Sequence, residues 1–232
     1  VFPRFSEVHH VRPVAFNLRR VVYRAWDFGW HCPVCLFAQI DSQGRLCVLR
    51  ELIGHEQITH DFAGDVLKRG AQWFPAHAPG FEDYVDPAGQ HVQSIESERN
   101  EKRDVEVLAG LGIHARYEYG WSKKDGRSLV NRLIDLRADG TPGLYVDMAQ
   151  APIVAQAFLG RYVYPTTKDS RVKEEPDDQT HPWADVMAAM RYLVTGLHRR
   201  LGLARYAFSS QMSAPGPTAQ TTGYGLPMRK RA

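Results

Sequence analysis

The 232-residue sequence has few cysteines, little net charge and no long apolar run. Each shortage removes a class of protein. Cys32, Cys35 and Cys47 are an odd number in a chain of this size, which argues against the disulfide framework of small secreted domains and for a reducing compartment. No apolar stretch approaches the roughly 18 residues that cross a bilayer, and no charged-then-apolar leader with a small-residue cleavage site opens the chain. A soluble, intracellular protein with no membrane partner is expected. Val1 stands where an initiating methionine would, which suggests a processed product or a piece of a longer polypeptide. The formal charge of +3 permits a basic patch but is too small to identify a nucleic-acid binder alone. There is no internal repeat.

What is present is apolar material, 44% of the residues, enough for one α/β core. One domain over residues 1–208 is expected, with residues 1–18 lying over it as an N-terminal segment. Strand signals at 21–28, 34–40 and 46–53, the last two joined by the turn "DSQGR", give an antiparallel meander. A helix over 55–69 follows, with Gly70 as its C-terminal stop. A strand at 81–86, a helix at 97–112, a strand at 113–119 and a helix at 126–140 complete the order βββαβαβα. An added short strand (143–147), a short helix (149–160), a charged loop and a C-terminal helix from "HPWADVMAAMRY" come next. Residues 209–232 hold too few apolar residues to pack and read as a disordered tail.

Three acids occupy similar positions. Asp27 ends the first strand in "RAWDFG", Asp86 ends another in "YVDPAG", and Asp185 lies in the first turn of the last helix. Each stands at the mouth of an element, where a side chain can reach a shared cleft. Carboxylate oxygens suit Mg²⁺ and Mn²⁺, and three can hold two such ions about 4 Å apart for phosphodiester hydrolysis. The competing readings are turn formers for Asp27 and Asp86, and a solvated first-turn carboxylate for Asp185. Asp83 is an odd number of positions from Asp86 and so points to the other face, and Asp147 reads as an N-cap.

These stretches, with "VFPRF", "HHV" and "PGLYVDMAQAPIVAQAFLGRYVY", occur in an order and spacing that resembles the C-terminal nuclease domain of the large terminase subunit of tailed bacteriophages, over residues 1 to about 200. The resemblance implies a ribonuclease H-like mixed central sheet flanked by helices. It also implies a metal-dependent endonuclease that cuts concatemeric double-stranded DNA during genome packaging, with Asp27, Asp86 and Asp185 as catalytic ligands of two Mg²⁺ or Mn²⁺ ions. Its partners would be the terminase ATPase domain, the small terminase subunit and the portal, at the procapsid in the cytoplasm of the infected bacterium. Many relatives carry a further Asp where this chain has Ala188, and no "GxxxxGK[ST]" loop is present, so the motor part is absent from these residues.

Three other motifs bear on function. "DFG" lacks the Gly-rich loop, strand lysine and "HRD" of a kinase. "HCPVC" with Cys47 could supply zinc ligands, but buried thiols are the expected reading. "GWSKKDGR" (120–127) reads as a loop whose Lys123, Lys124 and Arg127 contact DNA phosphates, with a solvated turn as the alternative. A junction resolvase or transposase-type nuclease of the same fold, or a non-catalytic DNA-binding or docking module, would satisfy the same pattern.

Overall fold

Runs of Val, Leu and aromatic residues form β1 (Val22–Asp27), β2 (Val34–Ile40) and β3 (Leu46–Ile53), paired antiparallel in succession. In this computed structural model, residues 1–75, 79–87, 103–166, 171–173 and 175–202 are described. β4 (Phe81–Tyr84) adds parallel to β1, and β5 (Leu144–Val146) adds parallel to β3. The sheet order is therefore β4-β1-β2-β3-β5, with β1 inside the sheet. Its residues are apolar in continuous runs because both faces are covered. Tyr23, Ala25 and Leu36 face one apolar cluster, whereas Val22, Trp26, Cys35 and Phe37 face the other.

The second cluster is closed by α2 (Thr59–Trp73), through Phe62, Ala63 and Val66, and by Leu108 of α3 (Asp104–Gly110). The first is closed by α4 (Lys123–Ile134), α5 (Pro152–Gln156) and α6 (Trp183–Leu201). A mixed sheet between helices is the ribonuclease H-like arrangement expected of the sequence. Among the described residues no helix is long and apolar enough to cross a membrane.

Several boundaries differ from expectation for identifiable reasons. Gly70 does not stop α2. It is buried within the helix, where a Cβ would stand 3.4 Å from the Phe81 ring, so its use is close helix–sheet packing. α4 starts before residue 126 because Ser122 and Asp125 form a reciprocal capping box. The segment 113–119 is not a strand. Only Arg116 joins the ladder, donating to the Asp83 carbonyl and accepting from Val85 N–H, both at 2.8 Å, and Glu118 turns aside to pair with Arg199. Residues 1–18 are more than a covering: Phe2 and Phe5 pack on Phe158, α1 (Glu7–His10) buries His10, and the His10 Nε2–H donates to the Ile134 carbonyl at 2.8 Å. Residues 97–102, the start of one expected helix, and the tail 209–232 lie outside the described residues.

Candidate active site

β1 and β4 run parallel, so Asp27 and Asp86 leave the sheet at the same end, and the first turn of α6 brings Asp185 to it. Burial holds the Asp27 carboxyl well above the ordinary carboxylate range, and the neighbouring charges of Asp185 and then Asp86 raise it further, against the attraction of Arg191. The three acids thus share one electrostatic environment. Each of the outer two is held by a neutral or titratable partner. The Tyr192 hydroxyl donates to Asp86 Oδ2 at 2.7 Å, and His181 Nδ1 lies 2.7 and 3.0 Å from the two Asp185 oxygens. The Cys32 thiol beside Asp185 is pushed up to about 12, by burial first and then by that carboxylate, so it stays protonated. Burial, Asp27 and Asp86 likewise raise the Tyr192 phenol, which keeps its proton and remains a donor.

The sequence reading missed His181, Arg191, Tyr192 and Cys32. Tyr192 could have been found by helical arithmetic, since it lies two turns after Asp185 on the last helix. A second layer stands behind them: Lys123 Nζ donates to Asp178 at 2.5 Å, the Tyr162 hydroxyl donates to Asp178 at 3.0 Å, and Arg191 reaches that hydroxyl at 3.4 Å.

Asp83 points to the opposite face, as its odd spacing from Asp86 predicts. It accepts two bonds from Arg24, at 2.6 and 2.8 Å, and one from Trp26 Nε1 at 2.7 Å, deep in the second cluster. Asp147 is not an N-cap. Its carboxylate accepts from Val14 and Ala149 N–H and turns the chain before α5. The cap of α5 comes from across the sheet, where both Glu51 oxygens accept from Ile153 and Val154 N–H at 2.8 and 2.9 Å. Cys32, Cys35 and Cys47 are buried free thiols.

The expected loop at 120–127 is largely the first turn of α4. Lys123 and Lys124 are exposed there, whereas Arg127 is enclosed and its guanidinium pairs with Glu175 at 2.8 Å. Among the described residues, no three His, Cys, Asp or Glu side chains converge closely enough to form a ready metal cage.

No family model matches this sequence. No curated protein matches it either. Solved structures do. The chain is similar to the large terminase of a thermophilic bacteriophage, with a TM-score of 0.63 and 15% identity, over 84% of this chain and 44% of that one. It is also similar to the nuclease domain of the P22 large terminase, with a TM-score of 0.55 and 17% identity, over 86% of this chain and 91% of that one. The chain thus spans less than half the length of the whole terminase and nearly all of the isolated nuclease domain. The fold is the one found in large terminase nuclease domains.

Proposed function

We propose that this chain is the nuclease part of a large terminase, an endonuclease that cuts concatemeric double-stranded viral DNA by metal-dependent phosphodiester hydrolysis. In that setting it would work with the ATPase domain, the small subunit and the portal, at the procapsid in the cytoplasm of the infected host. The observation that carries the reading is that parallel β1 and β4 and the first turn of α6 bring Asp27, Asp86 and Asp185 to one end of a sheet of this fold.

The donor set fits Mg²⁺ or Mn²⁺. Its oxygens are hard ligands, and Asp27, costly to charge because it is buried, is further repelled by Asp185, Asp86 and, more weakly, Asp178, a cost that divalent ions would relieve. Asp27, Asp86 and Asp185 would hold the ions, drawn inward from their present separation. Bound ions would supply a hydroxide at neutral pH and neutralise charge on the leaving oxygen. The chain's own groups keep the acids aimed: Tyr192 restrains Asp86, His181 restrains Asp185, and Arg191 offsets part of the negative charge at Asp27. Lys124 is exposed and suited to phosphate contacts, and Lys123 would make one on leaving Asp178. Arg127 would reach a phosphate only after its pair with Glu175 opens.

The test is incubation with supercoiled plasmid. Nicking and linearisation are expected with Mg²⁺ or Mn²⁺, and faster with Mn²⁺. Undiminished cutting in excess EDTA would overturn the metal mechanism, and a strong preference for branched over linear duplex would move the assignment to a resolvase.

A further inference from the structure

Two adjoining concavities run away from the candidate active site along α6. The nearer, of about 310 Å³, is lined by Asp86, Tyr192, Arg191, Lys123, Tyr119 and Trp121. The farther, of about 720 Å³, continues past Tyr119 and Trp121 to His198, Arg199 and Arg200. They adjoin at Tyr119, Gly120 and Trp121, so a surface lined by an acid of the site at its inner end is aromatic at its middle.

Two large rings are presented there to solvent, Tyr119 at 57% and Trp121 at 36% exposure. Trp121 is not a loose side chain. Gly120 takes φ 85°, a turn that a side chain would strain, and the Ser122–Asp125 capping box fixes the residue that follows. The His198 ring meets the Trp121 ring edge-on, at 5.7 Å and 84°. Cations flank the rings: Lys123 at one end, paired with Asp178, and at the other Arg199 and Arg200, paired with Glu118 and Glu82, so each would exchange a carboxylate for a phosphate on binding.

Phosphate contacts need cations alone; exposed, preset aromatic rings beside them serve a ligand that offers π-faces. In an intact duplex each base face is covered by its neighbours, so only an unpaired base can use such a platform. We propose that this groove is a stacking subsite for an unpaired stretch of the DNA strand at the candidate active site, with Trp121 as the platform and Lys123, Arg199 and Arg200 along the backbone. The proposal rests on the reading of the site as a DNA nuclease and adds to duplex binding a contact for the few bases of the cut strand that leave the stack.

The test uses the whole chain in EDTA, so that no cutting occurs, with a 20-nucleotide oligo-dT and a blunt duplex of equal length. Oligo-dT is expected to quench tryptophan fluorescence, and Trp121→Phe should remove that quench while keeping most of the affinity. Trp121→Ala and Tyr119→Ala should each weaken oligo-dT binding roughly tenfold and duplex binding much less. Thermal melts beside these titrations identify a misfolded variant, in which case Trp121→Phe and Tyr119→Ala decide. Equal losses for both DNAs, an unchanged affinity, or a quench retained in Trp121→Phe would overturn the subsite; so would displacement of oligo-dT by none but apolar peptides. Quenching without metal-dependent plasmid cutting keeps the subsite and removes the nuclease reading. Plasmid cutting without quenching does the reverse.

Discussion

Asp27 and Asp83 lie on neighbouring strands and meet opposite surroundings. Burial makes the charge of Asp27 costly, and the charges of Asp185, Asp86 and Asp178 add to that cost. Its folded-state pKa lies above the usual 3.8, so its stabilising contribution is fully present below that value and is lost as pH rises through the folded pKa. In EDTA this contribution of Asp27 should lower the melting temperature as pH is raised from about 4 toward neutrality, against the opposite contribution of Asp41 and Asp178, whose carboxyls are held low. Asp27→Asn should remove that part of the fall, melt higher at pH 7 without metal, and cut plasmid at least about a hundredfold more slowly. A variant that cuts normally, or fails only because it unfolds, would return Asp27 to the role of turn former. Asp83→Asn should behave in the contrary way. It breaks a pair in which both side chains are about 95% enclosed, leaving the Arg24 guanidinium without its counter-charge, so a loss of about 3–5 kcal/mol is expected in denaturant melts. Where the variant remains folded, its cutting should persist.

At the scale of elements, the position of the acids depends on how closely α6 lies on the sheet. Gly196 permits that approach: a Cβ there would stand 2.2 Å from Cδ1 of the buried Tyr84. Tyr84 ends β4, two residues before Asp86. Gly196→Ala gains up to about 1 kcal/mol of helix propensity but forces the ring or the helix to move, at a cost of about 1–3 kcal/mol. A net loss of stability, together with slower cutting as Asp86 shifts, is expected. Gly64→Ala on the exposed side of α2 meets nothing within 4 Å and should stabilise by up to about 1 kcal/mol with cutting unchanged. Equal melting temperatures for the two variants would show that the α6–Tyr84 contact is soft. The element boundaries were legible where signals are local. Ser122 and Asp125 form an S-x-x-D box, readable in the sequence, which outweighs the turn signal of the polar cluster Lys123, Lys124 and Arg127. Glu51 as the cap of α5 was not legible, because 102 positions separate it from Ile153.

Across the whole molecule, the net charge of +3 gives no large field, so DNA affinity should rest on a few placed cations. Replacing Lys123 and Lys124 together by Ala should flatten the salt dependence of duplex binding by up to about two counterions' worth of slope, equally on all sequences. Arg127→Ala should instead lower the melting temperature, since that side chain is enclosed. An unchanged slope in the double variant would make the segment a solvated turn of helix and nothing more. The meander, the amphipathic helices and the acids at element ends are legible in the chain itself, because apolar period, turn residues and caps act over a few neighbouring positions. Long-range packing set the rest: that Tyr192 holds Asp86 across 106 positions, that 113–119 gives one bridge rather than a strand, and that Arg127 is enclosed. Those outcomes are set by burial and by Coulomb interactions between groups distant in the chain, and no local pattern encodes either.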